Sequence, residues 1–323
     1  MVDVITGGAG FIGSHLCRAL VERGRKVRVI DNFSSGKAEN LLSLRQERPN
    51  ECEIFDCDIR EAKQLGELFS GVDTVYHLAA ITSVQKSVED PVDCNSVNVE
   101  GTLKVLVAAR DNGIRKVIFS SSTAVYGDSE ELPKQETMKV QPISPYAVSK
   151  YVGECYCRVF SETYGLSALA LRYFNVFGPG QDSASDYAAV IPRFVASISA
   201  GKRPIIFGDG EQSRDFIYVK DVVSANLLAA HSDARYENLN IGSGKSFTLK
   251  QLVETLNGVL GEHLKPIYEA ARPGEVRHSE ADISRAGQSI DFRPEISLQE
   301  GLLRTADWFR KMSVDSPDFG ASV

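Results

Sequence analysis

The amino-acid sequence predicts an α/β fold, in which a doubly wound parallel sheet carries a smaller C-terminal α/β lobe. Three observations support this prediction. Short apolar runs alternate with segments of helical spacing through the first half of the chain, a glycine-rich motif joins the first run to the first helix, and the alternation loosens after about residue 175. Continuous apolar strands that alternate with helices are typical of parallel sheets covered on both faces.

The elements follow from these patterns in chain order. Six apolar runs are predicted as strands of the main sheet, at residues 2–6, 27–30, 53–56, 74–78, 117–120 and 167–171. Helical spacing predicts helices at residues 11–23, 97–111 and 145–164, and then at 190–200, 222–231, 249–259 and 298–310. We assign residues 1–175 to the sheet domain and residues 176–323 mainly to the smaller lobe. Segments near 215–241, at 216–219 and 236–241, are expected to return to the main sheet.

Composition excludes several classes of function. The 323 residues include 36 Lys and Arg against 43 Asp and Glu, and the net charge of -7 argues against nucleic acid or an anionic membrane as the main partner. No apolar stretch approaches the roughly 20 residues of a membrane helix. The 6 cysteines and 5 histidines form neither CxxC pairs nor an HExxH motif, so we predict no metal site. This cysteine usage is typical of a cytoplasmic protein.

The motif TGGAGFIG follows the first predicted strand and opens the first helix. Gly7 permits a tight turn, Gly10 lets a pyrophosphate approach the backbone, and Gly13 lets the helix pack on the strand. Phe11 and Ile12 begin the helix, whose N-terminus is electropositive toward phosphates. The motif in this context predicts a Rossmann domain that binds a dinucleotide.

Two aspartates at strand ends indicate which dinucleotide is bound. Asp31 ends the second strand, and a carboxylate there accepts hydrogen bonds from ribose hydroxyls and repels a 2′-phosphate, so NAD is favoured over NADP. The alternative is that Asp31 caps a turn. Asp58 follows the third strand, where it could meet the adenine, although an aspartate after a strand often caps a loop. Residues 1–175 are thus predicted to be an NAD-binding domain.

Tyr146 and Lys150 lie four residues apart at the start of a predicted helix introduced by Pro145, so both side chains share one helix face. A tyrosine hydroxyl is a poor base at neutral pH because its ordinary pKa is about 10. A neighbouring lysine and a cationic nicotinamide ring would lower that pKa and make the hydroxyl a usable acid and base. Such a pair is common by chance, but in a chain that also carries the glycine motif it indicates a catalytic role.

Motifs along most of the chain resemble those of the extended short-chain dehydrogenase/reductase family, in its UDP-hexose 4-epimerase branch. The matching segments run in the family's order, and they are TGGAGFIGSH from residue 6, HLAA from 77, NxxGT from 98, SSSTAVYG from 120, SPYAVSK from 144, LRYFNVFGPGQ from 171, SRDFIYVKDV from 213 and RPGEVRHSEAD from 272. The resemblance implies that residues 176–323 form mainly a substrate-binding lobe.

The resemblance also implies roles for single residues. Ser122 would be catalytic together with Tyr146 and Lys150, although a serine at that junction could instead cap the strand end. His77 is expected to pack in the sheet rather than to catalyse. Tyr146 and Lys150 would also contact the cofactor, with Lys150 holding the nicotinamide ribose. The further implied cofactor-binding residues are Asn32, Asp58, Ile59, Leu78, Ala79, Ala80, Asn98 and Tyr173. The implied substrate-binding residues are Ser83, Ser122, Asn175, Arg214, Arg272 and Ser279, of which Ser122 would bond the substrate hydroxyl and the two arginines match positions that bind the diphosphate.

The activity implied by the resemblance is NAD-dependent 4-epimerisation of UDP-hexoses through a transient 4-keto sugar. Dehydrating and decarboxylating relatives carry acidic residues where this chain has Thr123 and Ala124, so we expect neither reaction. Ser279 is small where relatives restricted to hexoses carry tyrosine, which favours UDP-GlcNAc/UDP-GalNAc, with UDP-glucose/UDP-galactose as a second activity.

Three alternatives remain open at the level of sequence. The first is a 4-epimerase of UDP-glucose only. The second is a UDP-glucuronate 4-epimerase, in which Arg193 or Arg277 would bind the sugar carboxylate. The third is a non-catalytic NAD-binding regulator, which the presence of both Tyr146 and Lys150 disfavours.

A homodimer is expected because the helices at 97–111 and 145–164 resemble those that form the family's dimer. Apolar residues such as Val148, Val152 and Tyr156 recur at helical spacing in the second of these helices. The same pattern would suit a helix that packs on its own core, so the dimer depends on the resemblance alone.

Overall fold

A computed structural model describes residues 1–182, 189–271 and 276–315. The strands in these ranges are β1 Val2–Thr6, β2 Lys26–Asp31, β3 Cys52–Asp56, β4 Val72–His77, β5 Lys116–Ser122, β6 Ser167–Tyr173, β7 Asn175–Phe177, β8 Ile205–Phe207, β9 Ser213–Tyr218, β10 Tyr236–Ile241, β11 Ser246–Thr248 and β12 Ile267–Glu269. The α-helices are α1 Phe11–Glu22, α2 Glu39–Glu47, α3 Ala62–Leu68, α4 Val84–Glu89, α5 Pro91–Asn95, α6 Thr102–Asp111, α7 Pro145–Tyr164, α8 Val190–Ser199, α9 Val219–His231, α10 Leu249–Leu260, α11 Ser284–Ile290 and α12 Leu298–Asp315.

Seven parallel strands form the main sheet, in the order β10-β6-β5-β4-β1-β2-β3. The chain begins in the interior of the sheet at β1, which pairs with β2 on one side and with β4 on the other. The strand order therefore reverses beside β1, and in such sheets ligands bind outside the carboxyl ends of the strands at that point. The predicted doubly wound α/β fold is confirmed.

Alternate residues of the central strand β5 belong to two different cores. Ile118 packs in the core that α1 and α9 cover, whereas Val117 and Phe119 pack in the opposite core with α6 and α7. Burial of both faces explains why this strand appears in the sequence as an uninterrupted apolar run.

The C-terminal lobe has its own sheet and its own core. Strand β9 pairs in parallel with β7 and antiparallel with β11, and β8 pairs with β12. Helices α8, α10 and α12 cover a third apolar core against these strands.

The two segments expected to return to the main sheet behave differently. Strand β10 does so, because residues 236–241 pair with β6 at the sheet edge. The prediction for residues 216–219 was wrong, because residues 216–218 belong to β9 in the three-stranded sheet of the lobe and Val219 begins α9. The chain leaves the main sheet after Tyr173, and β7 then supplies β9 with a parallel partner. An apolar run predicts a buried strand but does not identify its partner.

Two helices position the site. Ser144 caps α7 by accepting a hydrogen bond from Ala147 N at 3.1 Å, and Gly165 ends the helix with a φ of 73°. The helix predicted at 97–111 begins instead as a π-helical segment, Ser96–Gly101, before α6.

No helix within the described ranges is long and apolar enough to cross a membrane.

Candidate active site

The glycine motif has no room for a side chain at two positions, one in the turn between β1 and α1 and one in the first turn of α1. Gly7 has a φ of 72°, and a Cβ atom there would lie 2.7 Å from Ala79 N. At Gly13, a Cβ atom would lie 2.2 Å from the Gly7 carbonyl oxygen. The turn therefore presents bare backbone and the amino end of α1 at the sheet edge, and this cradle fits the pyrophosphate of a dinucleotide.

Asp31 lies at the end of β2 with only 7% of its surface exposed. Its Oδ2 accepts a hydrogen bond from Ala9 N at 2.9 Å, and its Oδ1 accepts one from Phe33 N at 2.9 Å. Burial raises the pKa of this carboxyl, and the two backbone donors counteract that shift. Asp31 thus stabilises the turn, as the alternative predicted, and each oxygen keeps a second lone pair for a ribose hydroxyl.

Asp58 lies in an ion pair that the sequence did not predict. Arg60 Nη2 donates to Asp58 Oδ2 at 2.8 Å, and Asn32 Nδ2 donates to the same oxygen at 2.9 Å. The hydrogen bond from Arg60 lowers the pKa of Asp58 to about 2. The Asp-x-Arg spacing was the available signal, but it is too common in loops to predict this pair. Contact between Asp58 and an adenine stays a prediction.

Seven of the predicted cofactor residues border one cavity, here called the cofactor-side cavity. Its lining includes Gly7, Asp31, Asn32, Asp58, Ile59, Ala79 and Ala80. Gly10, Phe11 and Ser83 line a neighbouring cavity, and Lys86, which the sequence did not predict, lines both. The structure therefore brings these residues together at the carboxyl ends of the strands, where the strand order reverses. Ile12 and Leu78 instead pack partly against the apolar cores.

The three predicted catalytic residues meet where β5 ends beside α7. Lys150 is 4% exposed, and its Nζ donates to the Ser120 carbonyl at 2.8 Å and lies 5.9 Å from the centre of the Tyr146 ring. Ser122 Oγ accepts a hydrogen bond from Ala124 N at 3.1 Å, so Ser122 caps the following turn, and its hydroxyl also lowers the pKa of Tyr146. Burial lowers the pKa of Lys150 to about 8.

The electrostatics of Tyr146 differ from the expectation in one respect. Burial is the largest influence and raises the pKa of the phenol, while the hydrogen bond with Ser122 lowers it. The sequence predicted that Lys150 and a cationic nicotinamide ring would lower this pKa. In the structure, the hydroxyl of Ser122 is the group that lowers the pKa of the phenol.

Asn98, Tyr173 and His77 lie behind the cavity wall, with their polar atoms already bonded. Asn98 Oδ1 accepts from Ile81 N at 2.8 Å, and its Nδ2 donates to Ile81 O at 2.9 Å. Tyr173 bonds Ser120 and Asn226. Asn98 therefore holds Ile81, which lines the cofactor-side cavity, while contact of Asn98 or Tyr173 with a cofactor stays a prediction.

His77 lies in the interior of the sheet, as expected for a packing residue. Its ring nitrogens contact Thr6 Oγ1 at 2.7 Å and Thr102 Oγ1 at 2.9 Å. Burial lowers the pKa of this imidazole to about 3, so the ring is neutral at physiological pH. A neutral ring that is hydrogen-bonded at both nitrogens is suited to packing and not to proton transfer.

On the substrate side, Asn175, Arg214 and Ser279 line one cavity of about 550 Å³, here called the Ser279 cavity. Thr123 and Tyr126 also border it. Ser279 is 5% exposed, and its Oγ has no hydrogen-bond partner. Arg272 lies outside the described residues. Ser83 lies apart from this cavity, where its hydroxyl caps α4 by accepting from Lys86 N at 3.1 Å.

Asn175 and Arg214 also line a second cavity, of about 380 Å³, which we call the Gln212 cavity. Gln181 and Gln212 border it, and the Oε1 atom of each is buried without a hydrogen-bond partner. The sequence did not predict either glutamine, because a single glutamine in a loop carries no distinctive pattern.

In the part of the chain that the structure describes, no group of three or more His, Cys, Asp or Glu side chains could hold a metal ion.

Comparisons with known proteins agree with this geometry. Residues 4–242 match the sequence model of the NAD dependent epimerase/dehydratase family. A putative UDP-glucose 4-epimerase of Methanocaldococcus jannaschii is 40% identical over 95% of this chain and 98% of its own. Among solved structures, UDP-N-acetylglucosamine 4-epimerase from Methanobrevibacter ruminantium M1, in complex with UDP-N-acetylmuramic acid, is 46% identical over 96% of this chain and 98% of its own, with a TM-score of 0.91. The UDP-glucose 4-epimerase of Thermotoga maritima, solved with UDP-glucose, is 39% identical over 97% of this chain and 99% of its own, also with a TM-score of 0.91.

Proposed function

The chain belongs to the NAD-dependent epimerase/dehydratase family, and from this premise we propose that it is a UDP-sugar 4-epimerase that favours UDP-GlcNAc/UDP-GalNAc and also accepts UDP-glucose/UDP-galactose. The observation that carries the sugar preference is Ser279. Its small side chain lines the Ser279 cavity, and its unpartnered hydroxyl can bond a ligand. Such a side chain leaves room for an acetamido group and supplies a hydrogen bond.

The cofactor is NAD, and the glycine cradle, Asp31 and Lys150 are the parts of this chain that would hold it. Bound NAD supplies an acceptor for the hydrogen removed from the sugar carbon and returns it later in the same cycle. Because both halves of the reaction use one cofactor molecule, no external oxidant is consumed. The protein must then hold the cofactor through both halves, which is consistent with the narrow backbone cradle at Gly7 and Gly13.

Proton transfer falls to Tyr146. Its phenolate takes the proton of the sugar hydroxyl as that carbon is oxidised, and the resulting phenol gives the proton back on re-reduction. The hydroxyl of Ser122 lowers the pKa of the phenol and is placed to share the moving proton, and Lys150 Nζ lies 5.9 Å from the centre of the Tyr146 ring. A positioned acid and base of this kind contributes about 10²- to 10⁴-fold to a rate.

The same cavity explains why epimerisation is favoured over loss of water or carbon dioxide. Thr123 and Ala124 line the Ser279 cavity. By the resemblance described above, dehydrating and decarboxylating relatives carry acidic residues at these positions. Neither side chain can give or take a proton at neutral pH. Among the described residues, these two positions therefore supply no acid or base to drive elimination.

The nucleotide is proposed to lie across the two substrate-side cavities. Arg214 and Asn175 line both cavities, so a diphosphate at that junction would meet a guanidinium and an amide. Gln181 and Gln212 offer unpartnered amide oxygens in the Gln212 cavity, and the N3–H of a uracil ring is a donor that could satisfy such an oxygen. Arg272 remains proposed as a second diphosphate ligand.

A UDP-uronate substrate is the second candidate, and Lys134 is the observation that favours it. This side chain is 1% exposed and lines the Ser279 cavity, with the carbonyl of Ser129 as an acceptor for its ammonium group. A buried cation there could bind a sugar carboxylate. The arginines suggested by the sequence are less suitable, because Arg277 pairs with Asp209 at 2.7 Å and Arg193 borders the Gln212 cavity.

We also propose that the protein is a cytoplasmic homodimer that forms through α7. Val148 and Val159 of this helix are each 46% exposed, whereas Tyr156 packs against the core. The exposed apolar stripe is thus separate from the face that packs on the sheet. All six cysteines are free thiols, which is consistent with a reducing compartment. Light scattering of the wild type and of Val148→Glu tests the dimer, and the variant is expected to be monomeric.

The experiment that tests the proposed activity offers UDP-GlcNAc, UDP-glucose and UDP-glucuronate separately, with no NAD added. Turnover of UDP-GlcNAc that Tyr146→Phe abolishes would support both the mechanism and the sugar preference. Turnover of UDP-glucose alone would keep the mechanism and overturn the preference. Inactivity on all three sugars, in protein that contains NAD, would overturn the proposed function.

A further inference from the structure

A row of buried polar side chains crosses three strands of the main sheet at their carboxyl ends, directly beneath α7. Ser121 of β5 is the register partner of Arg172 of β6, and Arg172 is the register partner of Asn240 of β10. These residues are 3%, 2% and 0% exposed. Polar groups at this depth must be held by one another, since water does not reach them.

Glu154 of α7 binds the first two members of the row. Ser121 Oγ donates to Glu154 Oε1 at 2.5 Å. Arg172 Nε donates to Oε1 at 2.8 Å and its Nη2 donates to Oε2 at 2.7 Å, which is the two-pronged geometry that a guanidinium makes with a carboxylate. The exposed fraction is 2% for the arginine side chain and 1% for the glutamate.

The other end of the row binds Tyr126, in the turn that follows β5. Arg172 Nη1 donates to the Tyr126 hydroxyl at 2.9 Å, and that hydroxyl donates to Asn240 Oδ1 at 2.6 Å. The guanidinium carbon also lies 4.9 Å from the centre of the Tyr126 ring. Tyr126 is 1% exposed and borders the Ser279 cavity, so the row reaches from the helix to the substrate side.

These contacts fix the chain on both sides of Ser122. Glu154 binds the residue before it, and Arg172 binds Tyr126, four residues after it. Resting on the epimerase activity proposed above, we propose that Glu154 and Arg172 are positioning residues that hold Ser122 against Tyr146. Neither borders the cavities described above, and both act through the segment 121–126.

The placement of Glu154 on α7 supports this role. Tyr146, Lys150 and Glu154 follow one another at intervals of four, so they lie on one face of the helix. Each meets the end of β5, at Ser122, at the Ser120 carbonyl and at the Ser121 hydroxyl respectively. Three contacts in register fix the distance between helix and strand, and a shift of about 1 Å in a reacting group can cost about a hundredfold in rate.

Stability alone is a weaker explanation for this pair. A buried ion pair often contributes no more than an apolar pair of similar volume, because both charges lose their hydration. An apolar pair would still join α7 to β6, but it would hold neither Ser121 nor Tyr126. The specific geometry of this pair is therefore suited to orienting the segment between them.

The test compares Ser121→Ala and Glu154→Gln with Glu162→Gln, which alters an exposed ion pair with Arg158 on the same helix. The first readout is kcat and KM on the UDP-sugar that the wild type turns over. The second is the titration of Tyr146, followed by tyrosinate absorbance with Tyr146→Phe as the background. Burial raises the pKa of Tyr146, Ser122 of β5 lowers it and Cys94 of α5 raises it, while Lys150 Nζ lies 5.9 Å from the centre of the ring.

We expect kcat to fall about tenfold in Ser121→Ala and Glu154→Gln while KM stays within about twofold, because the reacting groups move and the binding groups do not. The pKa of Tyr146 should rise in both variants as its bond with Ser122 weakens, and Glu162→Gln should change neither quantity. An unchanged kcat and an unchanged titration in Ser121→Ala would overturn the proposal.

A double variant, Glu154→Leu with Arg172→Leu, separates positioning from folding. It removes both buried charges together, so we expect a folded protein whose kcat stays low. Recovery of the wild-type kcat in this variant would overturn the proposal. If the wild type turns over none of the sugars offered, the proposed function fails, and the titration of Tyr146 in Ser121→Ala still decides whether the row positions Ser122.

Discussion

The cofactor side and the substrate side of the site differ in how their buried polar groups are satisfied. On the cofactor side, Asp31, Asp58 and Asn98 are each bound by backbone or charged partners within the protein. On the substrate side, some polar atoms have no such partner. In the part of the chain that the structure describes, the buried side-chain polar atoms without a hydrogen-bond partner are Gln181 Oε1, Gln212 Oε1 and Ser279 Oγ, and all three residues line the substrate-side cavities.

This difference separates two tasks. The cofactor side is already organised, so a change there should alter binding or catalysis for every substrate alike. On the substrate side, an unpartnered buried group costs about 1–3 kcal/mol, and a ligand that supplies the missing partner recovers that free energy. A change on the substrate side should therefore alter the choice between substrates more than the chemistry itself.

The largest expected effect is that of Tyr146→Phe, which removes the proton-transfer group and leaves the cofactor side intact. We expect kcat to fall about 10³-fold on every sugar while the bound NAD per protein stays unchanged. Steady-state kinetics and the absorbance of released cofactor measure the two quantities. Tyr164→Phe, at the half-exposed far end of α7, is the control and should keep full activity. More than a tenth of wild-type kcat in Tyr146→Phe would contradict the assignment.

Lys150 allows a test through pH. Burial lowers its pKa from 10.5 to about 8, so the unfolded chain binds more protons than the native state between these values. Stability therefore rises with pH across that window, by at most about 3 kcal/mol. In urea unfolding at several pH values, the free energy of unfolding of the wild type should rise relative to that of Lys150→Met between pH 8 and 10.5. Lys63→Met, at an exposed position, should show no such change relative to the wild type. A constant gap between wild type and Lys150→Met would show that Lys150 is not desolvated.

Gly13→Ala tests the rigidity of the cofactor side. A Cβ atom at residue 13 would lie 2.2 Å from the Gly7 carbonyl oxygen, so the turn must open and NAD affinity should fall about tenfold to hundredfold. Titration calorimetry with NAD measures this change. Gly66→Ala in α3 is the matched control, because nothing lies within 4 Å of its added Cβ. Wild-type affinity in Gly13→Ala would mean that this turn does not bind the cofactor.

Ser279→Tyr gives the smallest expected effect and acts on the choice of substrate. The added ring fills the space proposed for the acetamido group, so the ratio of kcat/KM for UDP-GlcNAc over UDP-glucose should fall about tenfold or more. Ser279→Ala keeps the space and should change the ratio far less. Equal losses on both sugars would show that Ser279 does not select between them.

The sequence predicted the parts of the site that depend on local spacing. The glycine turn and the pair Tyr146 and Lys150 are each encoded within one turn or one helix, so their geometry follows from residue spacing alone. Asp31 was predictable because the second strand ends next to the first.

The parts that sequence reasoning missed depend on pairing between distant segments. Strand β9 pairs with β7 and not with a strand of the main sheet. Glu154 forms an ion pair with Arg172 because α7 packs on β6. The π-helical start of the segment before α6 was also missed, because its apolar spacing does not differ from that of an α-helix. Single residues such as Gln212 gain meaning only from the cavity that surrounds them.

The most direct test of the account follows the hydrogen at C4 of the sugar. The purified enzyme is incubated with UDP-GlcNAc that carries deuterium at C4, in ordinary water and without added NAD. The account predicts that both epimers keep the deuterium at C4, because the hydrogen leaves that carbon and returns to it within one active site. Exchange of the deuterium with solvent during epimerisation would contradict a transient oxidation and, with it, the role assigned to Tyr146.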